Sequence, residues 1–415
     1  MNESLAMARV CCMSTRRTLC TRIRPPGLAA LALGLLSACT QAPIAGPSAE
    51  AATPAAAAAP VHLRLIAFND FHGHLEAGSL SLAQADPAQP GATLRVPVGG
   101  AAALAGLVRT LREQAPGGAA HSLLLASGDQ IGAAPLVSAL FRHESTIEVL
   151  NALGVDVATV GNHEFDAGQA ELKRVLGGGC APNRADAATQ SCALRTHAGA
   201  RFPSIVANVD GADGQPLYAP SWVREFGGVR VGFIGAVTRS TPGIVVPSAV
   251  AGLRFGDEAQ AINRAAQALQ AEGVQALVAL IHEGGEIGSA QQPGDWNDES
   301  CPELRGSIVD IARRVTPAVD VLFTAHTHQG YRCVIDGRPV VQATSYGRGV
   351  SVVDLVLDAR SGDVDRTQVR SRNLPVFNAS TPAAARAALA AAHPAPYAQA
   401  LQAARPDAEV ARLVA

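Results

Sequence analysis

Three apolar runs of strand length, His62 to Phe68, Ser122 to Ala126 and Val155 to Val160, alternate with stretches of helical periodicity over Gly99 to Gln114 and Ser145 to Leu153. No other feature constrains the fold as much. Strands joined through helix-length connections run parallel, and the helices must cover the sheet they cross. A helix is expected next over Ala167 to Leu176, then a surface loop over Gly177 to Ala200 and a strand over Phe202 to Val209. Trp222–Phe226 and Val229–Ala236 read as a hairpin turning at Gly227-Gly228. Asp257 to Glu272 reads as a capped amphipathic helix, followed by a long apolar strand over Val274 to Ile281, a helix over Leu304 to Val315 and a buried strand over Asp320 to Thr324. Residues 331–358 alternate, with turns at Asp336-Gly337 and Ser345-Tyr346-Gly347, which predicts an antiparallel finish to an α/β fold.

Strand after strand ends in a residue that can bind a metal. The first is followed by Asp70 and His72, the second by Asp129, the third by Asn162 and His163, and the later two by His282 and by His326 with His328. Asp70 and His72 flank one residue, so in an extended segment both side chains point the same way. Open α/β sheets keep their chemistry beyond the carboxyl ends of the strands, so these residues are expected to converge on one site. The donors are oxygen and nitrogen without thiolate, which suits Mn, Fe, Zn or Mg. Seven donors are too many for one ion. Two ions about 3.5 Å apart, sharing a carboxylate and a hydroxide, would use them and would clamp an in-line phosphoryl transfer. Asp166, three residues beyond His163, can fix its tautomer by accepting the other ring N–H.

Taken in order, NDFHGH at 69–74, GDQ at 128–130, GNHEFD at 161–166, the strand end at His282 and HTH at 326–328 resemble the calcineurin-like metallophosphoesterases. They most resemble the bacterial 5′-nucleotidase, UDP-sugar hydrolase and 2′,3′-cyclic-nucleotide phosphodiesterase family, over about residues 62–375. The resemblance implies a four-layer α-β-β-α sandwich with mixed sheets. It implies one divalent cation on Asp70, His72, Asp129 and His328 and a second on Asp129, Asn162, His282 and His326, drawn from Mn, Zn, Fe, Mg or Ca. His163, oriented by Asp166, would touch neither ion and would stabilise the transition-state charge or protonate the leaving oxygen. The implied activity is hydrolysis of nucleotides or related small phosphate esters by a metal-activated hydroxide. Cyclic-nucleotide phosphodiester or thiosulfate-ester hydrolysis on the same motifs is a second reading, and a metal-binding lipoprotein with little turnover is a third. Two departures stand out. Ala325 occupies the place where the family usually has glycine before its last His-x-His, and Thr381 to Ala404 reads as the helix that would lead to a nucleotide-binding second domain absent from this sequence.

The amino terminus has the layout of a secretory signal: five arginines against Glu3, an apolar run from Leu28 to Leu36, then Leu36-Ser37-Ala38-Cys39. A cysteine after Leu-Ser-Ala resembles the bacterial lipobox, so Cys39 is the expected lipidation site and the protein is expected to be exported, periplasmic and held at the membrane by that lipid. Ordinary signal cleavage is the other reading. Residues 1–38 carry +4, so the formal charge of -2 becomes -6 beyond them, which gives no basic footprint for duplex nucleic acid. Residues 39–60 are almost all Ala, Pro, Gly, Ser and Thr and read as a tether, with residues 61–375 as the catalytic domain and 376–415 as a helical segment beyond it. Four cysteines remain past the leader. Of three possible pairings, Cys180–Cys192 with Cys301–Cys333 closes the smaller loops; free buried thiols are the alternative.

Overall fold

The strand Val61–Phe68 lies at the middle of its sheet, and its side chains alternate as a two-sided strand requires. Leu63, Leu65 and Ala67 face a second sheet, while Ile66 and Phe68 face helices. One edge pairs in parallel with Ser122–Ser127, which continues in parallel through Val157–Thr159 to Ser204–Ile205. The other edge pairs antiparallel with Gly349–Asp358, which in turn pairs with Asp363–Val364 and Arg370–Pro375. This computed structural model describes residues 59–89, 91–183, 188–193, 195–288 and 295–415. Cys39, the expected signal and the tether as far as Ala58 lie outside the described residues.

The second sheet runs Gly330–Ile335, Arg338–Ala343, Val321–Thr324, Ala276–His282, Val229–Val237, Ser221–Phe226, with its four middle strands parallel and an antiparallel strand at each edge. Leu125, Val157, Phe233, Leu280 and Phe323 fill the layer between the sheets. On the outer face of the first sheet pack Ala101–Glu113 and Glu144–Leu153, through Leu104, Leu107, Ile147 and Leu150. On the outer face of the second pack Glu258–Ala271 and Ser307–Arg314, through Ile262, Leu269, Ile308 and Ile311. The result is the expected α-β-β-α sandwich of mixed sheets.

Some elements differ from the sequence reading. Pro394 has no N–H to donate and disfavours helical backbone at His393, so the helix expected over Thr381 to Ala404 divides into Ala383–Ala391 and Ala395–Ala403. A third helix, Ala408–Val414, comes next, and Leu389, Leu401 and Val410 are buried against the first helical layer. The strand expected over Phe202 to Val209 is broken into Ser204–Ile205 and Val209–Asp210. The turn at Ser345-Tyr346-Gly347 does not close a hairpin: it carries the chain from the second sheet to the first. A hairpin of Ser81–Ala85 with Thr93–Pro97 was not expected at all. Both disulfides take the local pairing, Cys180–Cys192 and Cys301–Cys333.

One buried charge ties the first sheet to the C-terminal helices. Arg64 is 1% exposed, on the helix side of its strand, and its Nε and Nη2 donate to the two oxygens of Asp354 at 2.6 and 2.8 Å. Tyr397 donates its hydroxyl to the same carboxylate at 2.9 Å. A buried guanidinium is tolerable because its bidentate partner and further bonds to Leu111 and Gln114 carbonyls satisfy it.

Candidate metal centre

Because the central strands of both sheets are parallel, their carboxyl ends lie on one edge, and the expected ligands lie just past them. The backbone turns sharply there. Asp70, His72, Asp129, His326 and His328 all have φ between 47° and 72°, the left-handed region that side chains other than glycine rarely adopt. Each such residue costs on the order of 1–3 kcal/mol and persists only where its surroundings over-determine it. Here the loops knit to one another: Asp70 N donates to Gly128 O at 3.1 Å, His72 N to Asp129 O at 2.9 Å, Tyr346 N to Asp70 O at 2.7 Å. Two glycines are needed for close approach. A Cβ on Gly128 would stand 2.3 Å from His282 Nδ1, and one on Gly161 would stand 2.1 Å from Asp129 Oδ1.

All seven expected ligands meet, in two sets. Donor atoms of Asp70, His72 and His328 lie within 4.8 Å of one another, and so do those of Asp129, His282 and His326. Asn162 Oδ1 joins the second set, 3.1 Å from His282 Nε2. Asp129 stands between the sets, its Oδ2 3.1 Å from His282 Nε2 and 3.5 Å from His72 Nε2. The ring orientations test whether a cation fits. Carbonyl oxygens only accept, so His72 Nδ1, 2.9 Å from Gly132 O, and His282 Nδ1, 2.9 Å from Ser127 O, each carry the hydrogen. Their Nε2 atoms are then bare lone pairs. That of His72 faces His328 Nε2 at 3.3 Å, and that of His282 faces the Asp129 carboxylate. Lone pairs and carboxylate oxygens converging in a buried space repel unless a cation lies among them, so the donor set fits divalent metal binding. With protons alone available, burial opposes charge on His282, yet Asp129 and then Asp70 outweigh it and push its pKa up to about 10.

His163 stands beside this centre. Its backbone N–H donates to Asp129 Oδ1 at 2.9 Å, its ring lies 5.1 Å from that of His72, and Nδ1 is 2.8 Å from Asp166 Oδ2. The hydrogen bond to Asp166 raises its pKa, against burial. The side chain is 32% exposed. Asn162 makes no capping bond to the turn it precedes, which leaves its amide free for the centre.

Two residues of this site went unnoticed in the sequence. Asn69 Nδ2 donates to Asp70 Oδ2 at 2.6 Å while its Oδ1 accepts from Ala343 N at 2.9 Å, binding the first ligand loop to the second sheet. Glu164, 3% exposed, accepts from the backbone N–H groups of Asp129, Gln130, Ile131 and Gly161. Burial and the Asp129 charge push its pKa up to about 7, against the pull of those donors. The available sign was its position, a carboxylate one residue past His163 in a glycine-bounded turn, where loop amides need an acceptor. Ala325 is fully buried, and the N–H of His326 after it reaches both oxygens of Asp70 at 3.0 and 3.1 Å.

No family model matches the chain. Among curated proteins it is 36% identical over 245 residues to the endonuclease YhcR of Bacillus subtilis, covering 59% of this chain and 18% of that one. It is 32% identical over 272 residues to a probable 5′-nucleotidase of Treponema pallidum, covering 64% of this chain and 36% of that one. A 5′-nucleotidase precursor from Thermus thermophilus superposes on 82% of the chain and 59% of its own length, with a TM-score of 0.56 and 26% identity. The calcineurin-like phosphoesterase YfkN of Bacillus subtilis has the same fold, with a TM-score of 0.56 at 22% identity over 83% of this chain and 99% of that one. Its relatives and structural neighbours include 5′-nucleotidases and calcineurin-like phosphoesterases, the family that its motifs resemble. The chain spans less than half the length of the curated relatives that match it first. Among its described residues no helix is long and apolar enough to cross a membrane.

Proposed function

We propose that this metallophosphoesterase hydrolyses phosphate esters of nucleotides or related small molecules. Asp70, His72, Asp129 and His328 would hold one divalent cation and Asp129, Asn162, His282 and His326 a second. The observation that carries this reading is the convergence of bare Nε2 atoms on either side of the Asp129 carboxylate. A pair of divalent cations bound there supplies Lewis-acid polarisation of a phosphoryl group and a nucleophile at neutral pH. The chain's own residues supply the rest. His163 and His328 are about one-third exposed, so a phosphate would approach the centre from their side. Asp166 holds the Nδ1 proton of His163, which leaves Nε2 to stabilise charge on the transferring group or to protonate the leaving oxygen. The relatives named as nucleotidases favour a nucleotide substrate. The endonuclease name belongs to a protein of which this chain matches under a fifth, and the acidic charge beyond residue 38 argues against a duplex substrate.

The test is to load purified protein with Mn or Zn and follow phosphate release from adenosine monophosphate, a 2′,3′-cyclic nucleotide and a thiosulfate ester in parallel. Turnover of the monophosphate supports the reading, and background rates on all esters with metal bound would overturn it. Export, with Cys39 as the lipidated residue, belongs to the same proposal: Cys39→Ser should move the protein from the membrane to the soluble fraction or block its processing.

A further inference from the structure

Beside His328 opens a cleft of about 340 Å³, whose lining includes Arg95, Arg348, Arg305, Gln84 and Trp296. Its charge is unbalanced. Arg305 is paired with Glu286 at 3.0 Å, but among the described residues no carboxylate lies within 4.0 Å of the Arg95 or Arg348 guanidinium. Arg348 is partly buried and held from one side: Nε and Nη2 donate to Ser345 O and Oγ at 3.1 and 2.6 Å, and Nη1 reaches Ser81 O at 3.4 Å. Arg95 donates to Ser81 Oγ at 3.2 Å, so two cations flank one serine. Like charges held together and partly removed from water are unfavourable unless an anion completes them. Unspent guanidinium N–H groups offer paired donors that match phosphate geometry.

The cleft borders the metal centre at His328. The Arg348 guanidinium lies 5.3 Å from the centre of the Tyr346 ring, and that ring lies 5.1 Å from the His328 ring. The cation is therefore no more than about 10 Å from the centre of the His328 ring, and both side chains line the same cleft.

We propose that Arg95 and Arg348 form a specificity subsite for a second phosphate of the substrate, the one that stays with the leaving group, so that nucleoside diphosphates are preferred to monophosphates. This rests on the phosphohydrolase reading above. In the reaction it implies, water's oxygen bonds to the terminal phosphorus and gives up a proton to solvent as the bond from that phosphorus to the bridging oxygen breaks. The bridging oxygen leaves on the inner phosphate with its electron pair, and a nucleoside monophosphate and inorganic phosphate result. The guanidinium pair holds the inner phosphate and takes no part in bond making.

The experiment compares adenosine diphosphate with adenosine monophosphate on metal-loaded wild type, Arg95→Met and Arg348→Met. Charge-assisted hydrogen bonds of this kind are worth about tenfold or more each, so either variant should raise KM for the diphosphate by that order. Its kcat, and both constants for the monophosphate, should stay within about twofold. Arg95 is exposed, so its variant reports even if Arg348→Met fails to fold. Equal effects on the two substrates, or none on either, overturn the subsite. If wild type hydrolyses neither, the phosphohydrolase reading fails, and calorimetric binding of inorganic pyrophosphate decides the subsite alone: weakening of about tenfold in Arg95→Met supports it, and unchanged binding overturns it.

Discussion

Replacing Glu164 by Gln would test whether the metal centre depends on a carboxylate that touches no ligand side chain. Each oxygen of Glu164 accepts two backbone N–H groups: Oε2 those of Asp129 (2.9 Å) and Gly161, Oε1 those of Gln130 (2.8 Å) and Ile131 (3.3 Å). Glutamine keeps the shape but offers one accepting oxygen, and its NH₂ would face two N–H groups with nothing to give them. Two unsatisfied buried N–H groups at about 1–3 kcal/mol each cost roughly 2–6 kcal/mol of stability, less what is regained by removing a charge that burial and Asp129 disfavour. Part of that loss falls on the metal, because the amides of Asp129 and Gly161 set where the shared carboxylate and the Asn162 amide stand. Groups that orient ligands are typically worth about 10–100-fold in metal affinity, and that is the expected weakening. Chemical unfolding of the metal-free protein and competition of the loaded protein against a coloured chelator read the two effects separately. Wild-type stability together with wild-type affinity would refute the reasoning, since Glu164 would then be a bystander to the loop it caps.

Asp129→Ala should abolish binding of both ions, whereas Asp70→Ala should lose mainly one; metal analysis after Mn or Zn loading reads this, and one retained ion in Asp129→Ala would end the shared-ligand assignment. His163→Ala should lower turnover by about 10²–10⁴-fold with metal content unchanged, and by less on activated esters such as p-nitrophenyl phosphate whose leaving groups need no proton. Asp166→Asn should act in the same direction more weakly; a metal lost from His163→Ala would make that residue a ligand instead. His393, pushed down to about 4 by burial and the nearby Arg372, is neutral in the fold and accepts from Arg372 Nε at 3.1 Å. As pH falls the unfolded chain takes up that proton first, so this contribution is intact above about 6.5 and is lost between there and about 4, at most about 3 kcal/mol. His393→Gln should flatten the acid side of the stability profile, and an unchanged profile would count against this role.

The convergence of the seven candidate ligands was legible in the sequence because each stands at or just past the end of a largely apolar strand, and parallel strands deliver the residues at their ends to one edge. The left-handed backbone of Asp70, His72, Asp129, His326 and His328 was not legible, since it is imposed by bonds between loops that lie far apart in the chain. Glu164 and Asn69 were missed for a related reason: each serves backbone groups of distant segments, and no local pattern advertises such a duty. The hairpin at 81–97 buries one residue per strand, Leu82 and Val96, too little alternation to stand out among small and polar neighbours. The C-terminal helices were foreseen as one because alanine-rich sequence propagates helix, and Pro394 interrupts it.

The antiparallel partner of the first strand has a consequence for how the protein is made. Val61–Phe68 emerges early from the ribosome, but one of its two edges is completed only by Gly349–Asp358, and Arg64 meets Asp354 across 290 residues. Until then the nascent chain holds an apolar strand with an open row of amides and carbonyls and a guanidinium without its counter-charge. An edge of that kind is a template for pairing with other chains. The long loop that must close before the sheet is whole makes folding slow compared with a protein built from local contacts. Folding of this domain therefore waits for Gly349–Asp358, and a chaperone that covers residues 61–68 during synthesis should raise its yield.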